Sequence, residues 1–200
     1  SIDFHLAVEV PANAEERESM IPTLVCPSDT VTGVFQVWDE LNAPLAQAAS
    51  NSYAACFGAY GLMNTDPDHG NGLFQRNSGI RFRDIPDGLS QTLAIGERAG
   101  GFARSPWAGV MTGGTVRTTP GAPVYTAIVE LSPAMVMARM GNRSLNSPLS
   151  EPYDFFSPHS DVVFFVFADG SVQGLTSSVD RDVLHALATR DKGDVAAAKF

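Results

Sequence analysis

The stretch that decides the fold is PHSDVVFFVFADGSVQGL, residues 158–175, near the end of the sequence. Residues 161–167 form a continuous apolar run, which predicts a strand that is buried on both faces or nearly so. Asp169 and Gly170 follow this run and predict a type I′ hairpin turn, in which Gly170 accepts a positive φ. Residues 171–176 are then expected to return as an antiparallel strand.

A helix is predicted directly after this hairpin, over residues 179–190. Ser177 with Asp180 three residues later resembles a capping box, and Lys192 with Gly193 would close the helix. The strand, turn, strand and helix together form the most clearly predicted unit of the chain. Val183, Leu184 and Leu187 would form the apolar face of the helix.

The two polar groups of the opening stretch are separated by the predicted strand. Nine residues lie between His159 and Asp169, which corresponds to roughly 30 Å of extended chain. A metal ion shared by the two side chains is therefore disfavoured, and structural roles are favoured. His159 would dock or cap a neighbouring element, and Asp169 would form the turn.

Composition limits the class of protein. The chain has 200 residues, 44% of them hydrophobic and 18% charged, with 18 Gly and 13 Pro that divide it into short elements. This predicts one α+β domain over residues 1–200. The formal net charge of −9 argues against nucleic acid as a partner. No apolar run is long enough for a membrane span, and the chain does not begin with Met, so we expect a processed piece of a longer protein.

The first half of the sequence gives weaker predictions. Residues 24–29 and 33–39 have strand patterns, and residues 45–49 have a helix-like composition. Residues 72–85 resemble two neighbouring strands with a turn between them, and a further strand is expected to run into Glu97. Residues 99–150 are loop-rich, with one strand predicted at 124–131. We interpret this region as a variable insertion, and Trp107 within it as either a ligand contact or a core residue.

Cys26 and Cys56 leave two interpretations open. They do not match a zinc pattern, because neither lies in a CxxC motif or near spaced histidines. A disulfide between them would close a loop of about 30 residues, which corresponds to roughly 3–4 kcal/mol in the chain-entropy model. The alternative is two small buried thiols.

Candidate catalytic and metal sites are few. The sequence has no GxSxG elbow. Cys56 could act as a nucleophile together with His159, but the sequence around Cys56 is not specific for such a site. Asp66, Asp68 and Asn71 offer oxygen ligands at alternating spacing, which faintly resembles a calcium loop. The distal Glu of an EF-hand is missing, so a solvated turn is the competing interpretation.

Four motifs occur in a fixed order and resemble a known bacterial family. They are LVCPSD (24–29), NSYAACFGAYG (51–61), the segment 72–98 and the segment 158–194. Together they resemble proteins that start with a prepilin-type cleavage segment and carry a C-terminal H-X9-DG motif. The globular part of these proteins is known only as a domain of unknown function. The motif residues that match here are His159, Asp169, Gly170, Asp87, Gly88, Ser90 and Glu97.

The resemblance implies a pseudopilin-like head of a type II secretion or type IV pilus-like filament, without catalytic activity and without a cofactor. Such a head would lie outside the cytoplasm, anchored in the inner membrane by an N-terminal helix that is missing from this sequence. Its partners would be other pilin or pseudopilin subunits. The resemblance also implies that His159, Asp169, Gly170 and Glu97 share a structural polar network. The same family carries a solute-binding label, so an extracellular module for a glycan or solute, with or without calcium, is the alternative.

Overall fold

The computed structural model describes residues 1–193 and has a mixed α+β architecture, as the sequence predicts. The helices α1 (Ala14–Arg17) and α2 (Arg181–Ala188) are short, and most strand pairings are antiparallel. Residues 194–200, which include the end of the predicted domain and of the last motif, lie outside the described residues. The strands are β1 (Val34–Trp38), β2 (Pro44–Asn51), β3 (Tyr53–Ala59), β4 (Leu93–Glu97), β5 (Ser105–Pro106), β6 (Thr115–Arg117), β7 (Val129–Leu131), β8 (Met137–Met140), β9 (Val162–Phe167) and β10 (Val172–Thr176).

The main sheet has the strand order β10-β9-β4-β3-β8. β9 pairs antiparallel with both β10 and β4, whereas β8 pairs parallel with β3. Helix α2 covers one face of this sheet, where Phe165, Phe167 and Leu184 are at most 1% exposed. The core therefore joins the last helix to the strands that the opening stretch predicts.

The opposite face of the main sheet, called here the outer face, is only partly covered. Phe164 on β9 is 41% exposed, and Val172 on the neighbouring β10 is 63% exposed. Burial along β9 alternates instead of being continuous, so the predicted strand is correct, but its burial on both faces is wrong. The apolar side chains of this face are present in the sequence, yet nothing within residues 1–193 fully covers them.

The hairpin between β9 and β10 forms as predicted, but its turn type differs. Gly170 has φ +85°, whereas Asp169 does not have the positive φ that a type I′ turn requires. The Gly170 N–H donates to the Phe167 carbonyl at 2.9 Å, and Phe167 and Ser171 close the loop. This is the geometry of a three-residue loop with glycine in the left-handed position.

Helix α2 forms within the predicted range, with a different cap. Asp180 is the N-cap residue, and its carboxylate accepts from the Asp182 N–H at 2.8 Å. The predicted cap at Ser177 is therefore wrong by one turn. Leu184 and Leu187 pack into the core, as the apolar pattern indicates.

Several predictions for the first half are corrected. The alanine-rich residues 45–49 lie in β2 rather than in a helix, since pairing with β1 places Ala48 and Ala49 in the core at 0% exposure. Small side chains permit this close approach, and tertiary packing overrides helix propensity. Residues 24–29 and 72–85 contain no strand but only short 3-10 helices, at Pro22–Leu24 and Phe82–Asp84.

Part of the loop-rich region 99–150 is integral to the sheet. β8, at Met137–Met140, lies beside β3 at the edge of the main sheet. β6 pairs with β7, which is the observed part of the strand predicted at 124–131. A second core lies on this side of the molecule and contains Phe57, Phe102 and Met111.

Candidate functional site

Three side chains from distant parts of the sequence meet at the entrance of β9. His159 Nε2 lies 3.8 Å from Cys26 Sγ and 3.5 Å from Glu97 Oε1. One ligand atom from each of the three residues lies within 4.8 Å of the others. Cys26 is 4% exposed and Glu97 3% exposed, while the His159 side chain is 32% exposed. We call this group the Cys-Glu-His cluster.

Cys26 reaches the cluster through a turn that follows a 3-10 helix. The Cys26 carbonyl accepts from the Asp29 N–H at 2.9 Å, which closes the Pro-Ser-Asp turn of the CPSD motif. The Ser52 N–H donates to the Leu24 carbonyl at 2.9 Å and ties this segment to the start of β3. The thiol is therefore held against the outer face of the sheet, beside the end of β4.

Glu97 is the last residue of β4 and points to the outer face, opposite Tyr53 in the β3 register. Its Oε2 accepts from the Phe164 N–H at 2.8 Å and from the Ser157 hydroxyl at 2.7 Å. One carboxylate therefore joins β4, β9 and the loop before β9. The second oxygen, Oε1, faces His159.

His159 is held through its backbone. Its N–H donates to the Ser157 hydroxyl at 3.1 Å, and its carbonyl accepts from the Asn146 side-chain amide at 2.8 Å. Asn146 also accepts from the Ser157 N–H at 2.8 Å and has φ +54°, a conformation that asparagine tolerates better than most residues. The His159 ring stands edge-on to the Phe164 ring, with 5.5 Å between the ring centroids.

A groove gives solvent access to the histidine side of the cluster. The groove has a volume of about 540 Å³, and its wall includes His159, Asn146, Phe156 and Thr30. Glu97 lies on the other side of the cluster, at the end of an apolar groove of about 450 Å³. The Cys-Glu-His cluster therefore stands between two surface grooves and is not sealed in the core.

The cluster is not arranged as an activated cysteine nucleophile. Burial raises the pKa of the Cys26 thiol, and the neighbouring Glu97 carboxylate raises it further. A reactive cysteine needs the opposite environment, one that stabilises the thiolate. The Cys56–His159 pair considered from the sequence is not brought together: the Cys56 thiol lies 3.8 Å from the Ala188 carbonyl, and burial raises its pKa to about 12.

The two cysteines do not form a disulfide in this structure. Both are buried free thiols, which agrees with the second interpretation of the sequence. The two thiols lie on opposite faces of the main sheet and therefore do not meet. Cys26 lies on the outer face near His159, whereas Cys56 points to α2.

The predicted polar network is only half assembled. Glu97 and His159 meet, but Asp169 and Gly170 lie at the other end of β9. The Asp169 carboxylate accepts from the N–H and the hydroxyl of Ser171, at 2.8 and 2.7 Å, and has an exposed position in the turn. The H-X9-DG pattern thus marks two separate features of one strand.

The DG motif upstream of β4 secures the end of the described chain. Asp87 is 6% exposed, and its carboxylate accepts from the N–H groups of Lys192 and Gly193 at 2.9 and 2.8 Å. Gly88 has φ +100°, which favours glycine at this position. Ser90 is exposed in a short 3-10 helix and does not reach the cluster.

The three residues of the calcium hypothesis each have a separate partner. The Asp68 carboxylate forms two hydrogen bonds with the Arg76 guanidinium, at 2.8 and 2.7 Å. The Asp66 Oδ1 atom lies 2.7 Å from His69 Nδ1, with which it forms a hydrogen bond. Asn71 Oδ1 accepts from the Ala59 N–H at 2.8 Å. The geometry gives this hypothesis no support, and calcium binding stays a prediction.

Two buried polar residues lie within the matched motifs, but the sequence assigns neither of them a role. Arg98 is 0% exposed, and burial lowers its pKa to about 9. Asp29 accepts from the Gly100 N–H at 2.6 Å and from the Ser52 hydroxyl at 2.7 Å. The available signal is their place inside these motifs, since Asp29 ends LVCPSD and Arg98 ends the segment 72–98. The Arg98 guanidinium donates to the Ser105 hydroxyl and to the carbonyls of Ala134, Met135, Met137 and Pro152.

Comparison with known proteins gives a family and no activity. A family model described as "Protein of unknown function (DUF1559)" matches residues 1–182 of the chain. No curated protein and no solved structure matches the chain significantly. None of the helices within residues 1–193 has the length and apolar character needed to cross a membrane.

Proposed function

The chain belongs to the family described as protein of unknown function (DUF1559), and we propose that it is the non-catalytic head of a pseudopilin-like protein. In this proposal the head takes part in a type II secretion or type IV pilus-like filament outside the cytoplasm. Its partners are other pilin or pseudopilin subunits, and an apolar N-terminal helix anchors it in the inner membrane. The motif resemblance motivates the proposal, and the outer face of the main sheet carries it.

The outer face of the main sheet carries exposed apolar side chains, whereas a face in contact with water is expected to be polar. Phe164 and Val172 are exposed by 41% and 63%, and they border the apolar groove of about 450 Å³ together with Ile95 and Val166. Contiguous exposed apolar surface marks sites of interaction. An antiparallel sheet face of this kind is a suitable surface for an apolar helix, which would remove these side chains from water.

The polar residues of the shared motifs support a structural role. Asp29, Asp87 and Glu97 each accept at least one backbone N–H from a distant segment. Arg98 donates to four backbone carbonyls within the core. Groups used in this way hold the fold together, which supports a structural role for the motifs.

The test is a crosslinking experiment on the full-length protein in its own cells. A photoreactive residue in place of Val172 should capture an apolar helix of the same chain or of a neighbouring copy. The matched control is Val129, which is 54% exposed but lies on β7, in another sheet. Equal crosslinking from both positions, or capture of a protein that contains no such helix, would overturn the proposal.

A substitution gives a second measurement of the same surface. Val172→Asp should leave the melting temperature of the isolated chain within about 2 °C, because the side chain is already exposed. It should nevertheless abolish filament incorporation, whereas Val129→Asp should not. Normal incorporation of Val172→Asp would count against the outer face as an assembly surface.

A ligand-binding module is the second candidate, and a different groove favours it. This groove of about 580 Å³ is lined by Phe35, Trp38, Arg104 and Arg117. Arg104 Nε is buried without a hydrogen-bond partner within the described chain, and Trp38 is 38% exposed. Convergent polar groups in a largely apolar cleft are typical of sites for small ligands.

The ligand site expected at Trp107 is less suitable, since its indole N–H donates to the Ser19 carbonyl at 2.8 Å. A glycan array distinguishes the two tryptophans. Binding that Trp38→Ala abolishes and Trp107→Ala preserves would establish the module. An array without any binding would exclude a glycan as its ligand.

A further inference from the structure

We propose that the Cys-Glu-His cluster binds one Zn²⁺ ion through Cys26 Sγ, Glu97 Oε1 and His159 Nε2. The proposal is independent of the filament function, because it rests on the three side chains and their supports. It assigns a metal-binding role to the histidine of the H-X9-DG motif. Water, or a small ligand from the adjoining groove, would supply the fourth ligand.

Two of the three separations between the ligand atoms, those that involve His159 Nε2, are close to the values of a tetrahedral zinc site. With Zn–S of about 2.3 Å and Zn–N and Zn–O of about 2.0 Å, tetrahedral angles place sulfur and nitrogen about 3.5 Å apart and nitrogen and oxygen about 3.3 Å apart. The corresponding separations are 3.8 Å between Cys26 and His159 and 3.5 Å between His159 and Glu97. Movements of a few tenths of an ångström would bring these two separations to the tetrahedral values, and the third, between Cys26 Sγ and a carboxylate oxygen of Glu97, is within 4.8 Å.

The side chains around the cluster already hold the ligands in place. Glu97 Oε2 is fixed by the Phe164 N–H and the Ser157 hydroxyl, which leaves Oε1 directed at His159. Asn146 and Ser157 together fix the backbone of His159. Hydrogen bonds of this kind orient the ligands of metal sites, and their loss typically lowers metal affinity by about 10–100-fold.

The chemistry of the ligands selects the type of metal. A thiolate and an imidazole favour Zn²⁺ and related transition metals over Ca²⁺ and Mg²⁺, which prefer oxygen. Binding replaces the thiol proton of Cys26, which passes to solvent, so that thiolate and carboxylate charges balance the divalent ion. His159 lines the open groove and provides the entry path.

Zinc titration of the 200-residue chain tests the proposal directly. We expect calorimetry and elemental analysis after dialysis to give one tightly held Zn²⁺ per chain, with a higher melting temperature that a chelator reverses. Co²⁺ in place of Zn²⁺ should give the near-ultraviolet absorption of a thiolate–cobalt bond. Binding without that absorption, or no retained metal after dialysis, would overturn the site.

Matched variants assign the ligands. Cys26→Ser and His159→Gln should each lower zinc affinity by more than the about 10–100-fold expected for a supporting residue such as Ser157. Cys56→Ser and His5→Gln are the controls, since Cys56 points to α2 and His5 is exposed near the N-terminus. Circular dichroism of each variant without metal establishes that it is folded. Equal affinities of folded Cys26→Ser and Cys56→Ser would overturn the assignment.

Discussion

The two ends of strand β9 carry the two halves of one sequence motif, and they differ in every physical respect. At the entrance, Glu97 and His159 meet Cys26, with both Cys26 and Glu97 buried. At the exit, Asp169 and Gly170 form an exposed turn, in which the Asp169 carboxylate accepts from Ser171 and the Asp169 N–H donates to the Leu89 carbonyl at 3.2 Å. A fixed spacing of nine residues therefore reflects the length of one strand and not a shared site.

The largest effect is expected from removing the Glu97 carboxylate. Glu97→Ala would leave the Phe164 N–H and the buried Ser157 hydroxyl without an acceptor, at a cost of about 2–4 kcal/mol in the free energy of unfolding. Glu97→Gln keeps an acceptor oxygen and should cost less. Urea unfolding of metal-free protein measures both values. A smaller loss for Glu97→Ala than for Asp169→Ala, in the exposed turn, would reverse the comparison between the two ends.

Acidification should reveal a second buried carboxyl, Asp154, which lies in the chain segment that leads to the entrance. Burial raises the pKa of Asp154 to about 6, three residues before Ser157. The folded state then holds the proton more tightly than the unfolded state, so Asp154 favours folding increasingly as the pH falls from about 6 to about 4. The contribution is on the order of 3 kcal/mol.

Asp154→Asn removes this dependence on pH. The variant should gain stability relative to the parent at pH 7 and lose that advantage near pH 4. Asp169 provides the contrast at the exit, because hydrogen bonds from Ser171 lower its pKa. Its contribution has the opposite sign and is lost as the pH falls through its lowered pKa. Urea unfolding curves at several pH values check both signs.

Replacing the glycine at the exit should lower the free energy of unfolding by less, and only through its local backbone conformation. Gly170 has φ +85°, and a Cβ added there would meet no atom within 4 Å. Gly170→Ala should therefore cost about 1 kcal/mol from backbone strain alone. Gly170→Asn should cost less, since asparagine adopts this conformation more readily. A cost above that of Glu97→Ala would show that the turn, and not the entrance, is critical for stability.

The smallest effect on the metal-free protein is expected from His159. Its side chain is 32% exposed and contacts Phe164 edge-on, so His159→Gln should lower the melting temperature by about 1–3 °C. The same variant should remove the stabilisation by zinc. A loss of stability as large as that of Glu97→Ala without metal would assign His159 a structural role.

Local patterns predicted the last part of the chain well. The apolar run at 161–167, the glycine at 170 and the apolar spacing of the last helix depend on neighbouring residues, and β9, β10 and α2 follow them. The alanine-rich β2 was predicted wrongly because its conformation depends on pairing with β1. The same limit applies to residues 72–85, whose strand-like pattern has no partner strand in the fold.

The candidate site was less predictable than the fold. Glu97 and His159 were singled out, but Cys26 was assigned to a disulfide or to the core, since its spacing matches no zinc motif. Asn146 comes from the loop-rich region 99–150, which the sequence indicates is a variable insertion, and it supports the backbone of His159. No local pattern could indicate this contact, because the two residues meet only through the packing of their loops.

The sequence by itself determined the α+β class, the terminal hairpin and the helix that packs on it. These features follow from hydrophobic periodicity and turn chemistry, which act over a few residues. Only the tertiary structure decided that Cys26, Glu97 and His159 meet, that the cysteines stay apart and that one face of β9 remains open. Those results depend on strand order and register, which bring together residues that are distant in sequence.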